Sequence, residues 1–265
     1  MKKITKKNFL IPAKDKAKYL SDFKNIYKKR PIQKNIGGMP IINLFNLYSV
    51  IRSLKPKIIV ESGTFKGQSS WFILKAAPKA KIYCFDIDLT QLIYKSNKIR
   101  YIEGDIKNYN FYNIKEKSIL ILDDHQNQIE RLKQSVLFGF DYVFLDDNSD
   151  NKNHDFYTLQ HLLKKINFNH NQKIKSIFKT MYIFLFLMVN KIFKNSNSYS
   201  LLKSRLKDFK FKKNNLEFLN SYIVKIYDFH IHKYYFKKKF YADFKSEKKN
   251  GKYQNLIKLK KFNKN

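Results

Sequence analysis

Five short apolar runs, separated by longer mixed segments, dominate the pattern between Pro56 and Asn148. Residues 57–60 lead into Glu61, 81–85 end at Asp86, and 100–102 lead to Glu103-Gly104-Asp105. Residues 118–122 end at Asp123-Asp124-His125, and 141–145 end at Asp146-Asp147-Asn148. Runs this short and this rich in β-branched residues predict strands buried on both faces, as in a parallel sheet. Crossover helices are predicted between them near 68–77, 89–97 and 126–138, the last closed by Gly139. Apolar residues at helical spacing over 41–54 predict a helix before the first strand, stopped by Pro56. Downstream the pattern predicts a helix at about 155–166, then an apolar segment at 177–193 and an Asn/Lys-rich stretch at 190–215. Residues 219–229 read as a closing strand, with 234–240 as its candidate partner. The expected fold is therefore α/β: a doubly wound, mostly parallel sheet with an N-terminal helical lead-in (1–55) and a basic C-terminal elaboration. The α/β domain is expected over 56–240, with a helical insertion at about 155–215. Residues 241–265 form a Lys/Asn-rich tail expected to be mobile.

Charge divides the chain in the same places. Residues 56–150 hold thirteen Lys/Arg against thirteen Asp/Glu, so the net charge of +33 lies entirely outside them. Only five of the basic residues are Arg, whereas phosphate and base recognition favour the Arg fork. The excess is read mostly as compositional bias and solvated surface, with an anionic partner as the alternative. The single cysteine, Cys84, falls inside the second predicted strand. No disulfide framework is expected, and the reading is a reducing, cytoplasmic compartment. The strongly apolar part of 177–193 is too short to span a bilayer. Burial or self-association into a homo-oligomer is favoured there over peripheral membrane contact.

The strand ends carry the candidate chemistry, because ligands in open α/β sheets bind at the carboxyl ends of the strands. Gly63 and Gly67 sit four apart between a strand and a helix, where glycine permits a tight turn and the helix start offers free N–H donors. Asp86 ends the next strand, placed to accept hydrogen bonds from both ribose hydroxyls. Asp105, after the third strand, suits an exocyclic amine.

This ordered set resembles the class I S-adenosylmethionine-dependent methyltransferases over about residues 56–148, through Glu61-Ser-Gly-Thr-Phe-Lys-Gly67, Phe85-Asp86-Ile-Asp88 and Glu103-Gly104-Asp105. The resemblance implies a Rossmann-like fold and S-adenosylmethionine as cofactor. Glu61, Gly63 and Gly67 would pack against its methionine part, Asp86 (or Asp88) would bind ribose, and Asp105 would reach adenine. The fourth and fifth strand ends are similar to those of metal-dependent sugar O-methyltransferases and their cephalosporin-hydroxylase-type relatives. That likeness implies Asp123, Asp146 and Asp147 as ligands of a Mg²⁺-like ion, since converging carboxylates need a cation and oxygen ligands suit a hard one. It also implies Asp123 and His125 as catalytic residues, with His125 the base, although His125 stands two residues after Asp123 where those relatives space it three away. A sugar-like acceptor follows, because vicinal hydroxyls chelate such an ion.

Other readings remain beside this one. Asp123 or Asp124 would cap the following helix and Asp147-Asn148 a turn, with no metal involved. The Lys-aromatic run 232–241 favours an RNA-directed methyltransferase or a nucleic-acid-binding protein. An inactive methyltransferase-fold scaffold in polysaccharide biosynthesis is the third.

Overall fold

The five apolar runs become the parallel centre of a single sheet. The computed structural model describes residues 6–8, 13–111, 114–148, 156–170, 214–215, 217–229 and 254–261. In chain order the elements are β1 (Lys6–Asn8), α1 (Ala13–Lys28), α2 (Ile41–Leu54), β2 (Ile58–Ser62), α3 (Gln68–Ala76), β3 (Lys81–Asp86), β4 (Ile99–Glu103), β5 (Ser118–Leu122), α4 (Gln128–Phe138), β6 (Tyr142–Leu145), α5 (Leu159–His170), β7 (Ile223–Asp228) and β8 (Asn255–Leu259). The eight strands are ordered β1-β7-β8-β6-β5-β2-β3-β4. All neighbours run parallel except β8, which is antiparallel to both β6 and β7. The chain winds outward from β2 to β4 on one side and from β5 to β6 on the other. The point of reversal, between β2 and β5, is where a doubly wound sheet opens a crevice. This is the Rossmann-like α/β architecture expected from the strand pattern.

Side chains alternate across the sheet and bury two cores. Ile59, Ile119 and Ile121 face one side with Phe23, Phe45, Tyr48 and Phe72 from α1, α2 and α3. Val60, Leu120 and Leu122 face the other with Ile129 and Leu132 of α4 and Leu162 of α5. Continuous apolar runs are what a strand covered on both faces requires. Helix α2 matches its predicted span and ends at a left-handed Lys55 (φ 51°), one residue before Pro56. No helix among the described residues is long and apolar enough to cross a membrane.

Three expectations change. No helix forms at 89–97. The N–H groups of Ile93 and Tyr94 instead donate to the Lys66 carbonyl (3.2 and 3.0 Å), folding this segment over the glycine turn and out of helical register. The tail is not all loose: Asn255–Leu259 is β8, an interior strand with buried Leu256, Ile257 and Leu259. It pairs antiparallel with β7. The lead-in also supplies an unforeseen edge strand, β1, beside β7. The 177–193 segment, 234–240, the 232–241 run and most of 190–215 lie outside the described residues.

Candidate active site

A cavity of about 340 Å³ opens at the carboxyl ends of β2, β3, β4 and β5. Its floor is the turn after β2. Gly63 adopts φ +93° and packs so closely on β5 that an added Cβ would lie 2.3 Å from the Asp123 carbonyl oxygen. Gly67, at φ +84°, presses on the Tyr94 carbonyl, which an added Cβ would meet at 2.8 Å. Both glycines are thus demanded by neighbouring backbone, not only by a ligand. Between them the Thr64 and Phe65 N–H groups donate to Asp86 Oδ2 (2.9 and 2.7 Å). Asp86 Oδ1 accepts from the Asp88 N–H at 3.2 Å. An ionised carboxylate offers roughly four acceptor sites, so Asp86 braces the turn and keeps about one for a ligand. Exposed Ile87 continues the cavity wall and offers a flat apolar surface.

The other sequence-derived candidates fall in different places. Glu61 does not line the cavity. It is sealed in the core, where Ser70 Oγ and Cys84 Sγ donate to its Oε2. Burial pushes its carboxyl up from the ordinary range, against the lowering effect of hydrogen bonds from Ser69, Ser70 and Cys84. A contact with the methionine end of a cofactor is therefore not available to it, because strand alternation points it inward between β2, β3 and α3. Asp88 also stands off the wall: it accepts the Thr90 N–H at 2.8 Å, and its hydrogen bonds from Thr90 lower its pKa.

Asp105 does reach the cavity, but its carboxylate is already engaged. It caps the 3₁₀ turn at 106–108 through the Lys107 N–H (2.9 Å) and pairs with Arg131 at 2.7 Å. Burial works to raise its pKa, yet the hydrogen bond and charge of Arg131 prevail and hold it below the usual carboxylate range. Arg131, only 5% exposed, reaches Asp124 as well, its Nε 2.8 Å from Oδ2. Ser62 Oγ donates to the same Asp124 oxygen at 2.7 Å. Neither Asp123 nor Asp124 caps α4. Asn127 does, accepting from the Ile129 and Glu130 N–H groups.

Past the ends of β5 and β6, ligand atoms of Asp123, His125 and Asp147 lie within 4.8 Å of one another, and Asp123 and His125 line the cavity. His125 Nε2 is 3.3 Å from Asp147 Oδ2, and its ring stacks on Phe156. His125 and Asp147 both hold left-handed backbone (φ 53° and 51°), as does Phe65 in the glycine turn (φ 50°). Strained non-glycine residues of this kind gather at functional sites. Asp146 is not part of the group. Its Oδ1 accepts from Asn43 (2.7 Å) and Gln254 (2.6 Å), so α2 and the residue before β8 draw it to the other side of the strand end. The expected set of three carboxylates thus becomes two carboxylates and an imidazole. That donor set is able to hold a divalent cation, and suits Mn²⁺, Fe²⁺ or Zn²⁺ better than an oxygen-only Mg²⁺ site would.

The lead-in, read from sequence only as a turn, lines the cavity with Asn35, Gly37, Gly38 and Met39. Gly37 lies against the Phe65 ring, and Lys66 Nζ donates to the Ile36 carbonyl at 3.2 Å. Arg131, Ser62, Ile87 and Gln68 were also not singled out by sequence. Among them only Arg131 carried a signal: it is one of five arginines in a chain whose positive charge is otherwise lysine.

No protein-family model and no curated protein matches the chain. Among solved structures it is similar to CmcI with Mg and SAM, at 23% identity over 44% of this chain and 58% of that one, TM-score 0.35. It is also similar to the O-methyltransferase TomG of Streptomyces achromogenes, involved in tomaymycin synthesis, in complex with SAM (14%, 49% and 65%, TM-score 0.36). A third is a putative RNA methyltransferase of Pyrococcus horikoshii (16%, 48% and 71%, TM-score 0.33). The chain spans less than two thirds of the first two. The strand order β4-β3-β2-β5-β6-β8-β7, rather than the extent of these overlaps, makes the protein a Rossmann-like α/β protein with its cavity at the switch point.

Proposed function

We propose that this protein is an S-adenosylmethionine-dependent methyltransferase acting on a hydroxyl of a sugar-like small molecule. The carrying observation is a single cavity lined by two kinds of chemistry. One set is the braced glycine turn with Asp86 and Ile87, which suit a nucleoside. The other is Asp123 and His125, with Asp147 3.3 Å from His125 Nε2, which suit a hydroxyl that must lose its proton. The bound cofactor would supply an activated methyl group, so the protein's task is alignment and proton removal. Asp86 accepts from ribose, and Ile87 packs on the base. Asp147 orients the His125 imidazole through Nε2, and the imidazole takes the proton. A divalent ion, if resident, would be held by Asp123, His125 and Asp147 and would stabilise the oxyanion; His125 then ligates and an acceptor-side group must be the base.

Calorimetry with S-adenosylmethionine and S-adenosylhomocysteine tests the cofactor half. A transfer screen with labelled cofactor against sugars, lipids and RNA tests the acceptor half. Absence of binding removes the proposal. RNA binding is expected to be weak and to fall steeply with salt, since the charge is lysine and scattered. Sequence-selective nanomolar RNA affinity at physiological salt would move the acceptor from sugar to RNA.

A further inference from the structure

Of the five exposed large apolar side chains among the described residues, three belong to the neighbourhood of the cavity. Ile87 lines it. Ile36 stands between Asn35 and Gly37, which line it, and Ile93 is bonded to Lys66, which lines it too. Lys66 joins the last two: its carbonyl accepts from the Ile93 N–H at 3.2 Å, and its Nζ donates to the Ile36 carbonyl at 3.2 Å. Ile36 and Ile93 are 71% and 61% exposed, and both lie on connecting loops. Apolar residues exposed singly are ordinary, whereas a group of them beside a cavity marks a contact surface. The charge around this pair has one sign. No acidic residue occurs between Asp22 and Glu61, or between Asp88 and Glu103, the two stretches that carry Ile36 and Ile93. Exposed Lys34 stands two residues before Ile36, and exposed Lys95 two residues after Ile93.

We infer that Ile36 and Ile93, with Lys34, Lys66 and Lys95, form a docking surface for an anionic lipid bilayer beside the cavity. The inference stands on this surface alone and needs no cofactor. Aliphatic side chains gain by entering the boundary between headgroups and acyl chains, while lysine ammonium groups stay at the level of the lipid phosphates. Each lysine near an anionic leaflet adds attraction of its own. An RNA partner fits less well, because isoleucine has no ring on which a base stacks and the flanking cations are mostly lysine. A protein partner would need a matching shape over a standard-sized interface. Two loop-borne aliphatic side chains among lysines ask only for a fluid, negatively charged surface. The acids on either side of Ile87 do not oppose it: Asp86 accepts from the Thr64 and Phe65 N–H groups and Asp88 from the Thr90 N–H.

The test is co-sedimentation of the full chain with phosphatidylcholine vesicles containing a minority of phosphatidylglycerol, at physiological salt. Wild type is expected to bind them, and to bind pure phosphatidylcholine vesicles much less. Replacing both isoleucines (Ile36→Ser with Ile93→Ser) keeps every charge, so any loss reports the apolar contact. That loss should be roughly 10- to 100-fold in partitioning, the value of partly burying two such side chains. Ile36→Gln with Ile93→Gln serves where the serine pair does not fold. The control pair, Leu137→Ser with Val224→Ser, removes exposed apolar residues that do not line the cavity and should bind as wild type does. Lys34→Gln with Lys95→Gln should weaken binding roughly 10-fold at low salt and less as salt is raised. Wild type that stays in the supernatant overturns the inference, as does unchanged binding in the isoleucine pair. An equal loss in the control pair would overturn it as well, by spreading the contact over the whole surface. Loss of single-stranded RNA binding in the isoleucine pair, with vesicle binding intact, would overturn it and give the surface to RNA.

Discussion

The Arg131 guanidinium lies 2.7 Å from the Asp105 carboxylate, so the acid that follows β4 is held by the helix that follows β5. The same arginine reaches Asp124, joining the loops after β4 and β5 to helix α4. Asp105 thus serves as an anchor of the site.

Replacing Arg131 with Met removes the guanidinium shared by Asp105 and Asp124 and leaves Asp105 only the more exposed Lys107 at 3.4 Å. Urea unfolding at neutral pH is expected to register a loss of about 3 kcal/mol, as for other broken buried pairs. Asp105 is held below its ordinary pKa, so this contribution is present above the ordinary carboxylate range and lost as pH falls through the lowered folded value. The stability gap between wild type and variant should therefore narrow in acid. A gap independent of pH would assign the loss to packing of the Arg131 stem.

Glu61 behaves in the opposite sense. Its folded pKa is raised by burial, so the folded state holds the proton more tightly than the unfolded chain. Stability from this group is complete below the unfolded value, near pH 4, and is lost as pH rises through the folded value. Glu61→Gln preserves an acceptor for Ser70 and Cys84 while removing the ionisation. Its melting temperature should overtake that of wild type as pH is raised; parallel pH profiles would refute the account.

Asp86→Ala removes the acceptor of two turn N–H groups as well as the proposed ribose contact. Cofactor affinity measured by calorimetry is expected to fall by about 1.5–3 kcal/mol. Asp86→Asn, which keeps one oxygen for the turn, should lose less. Unchanged affinity in both variants would move the nucleoside elsewhere.

Asp146 and Asp147 are adjacent but should answer differently. Asp146→Asn disturbs the bonds from Asn43 and Gln254 and is expected to lower stability by about 1–3 kcal/mol, with cofactor affinity nearly intact. Asp147→Asn weakens the hold on His125 and should slow transfer roughly 100-fold or more, again with cofactor affinity intact. A transfer assay and a chemical melt on both variants separate the roles. A large transfer defect in Asp146→Asn without loss of stability would return Asp146 to the reacting end.

How much of this was legible in the sequence depends on the range of the interaction. The central strands were readable because burial on both faces requires near-continuous apolar runs, and alternation then divides Ile59 from Val60 and Ile119 from Leu120 between two cores. Helix α4 was readable through its closing Gly139, and the glycine turn through the spacing of Gly63 and Gly67. Which acids share a site was not. Asp146 is turned away by Asn43 and Gln254, each more than 100 residues distant, and Asp105 is claimed by Arg131 on another crossover. The strand β8 was hidden for a related reason. Asn255-Leu-Ile-Lys-Leu259 sits in a Lys/Asn-rich setting and becomes a strand only because β6 and β7 leave a gap that needs an antiparallel partner. Local pattern sets which face of an element is buried. Pairing across the sheet decides which polar groups meet, since each strand end takes its neighbours from segments that no window of sequence holds together.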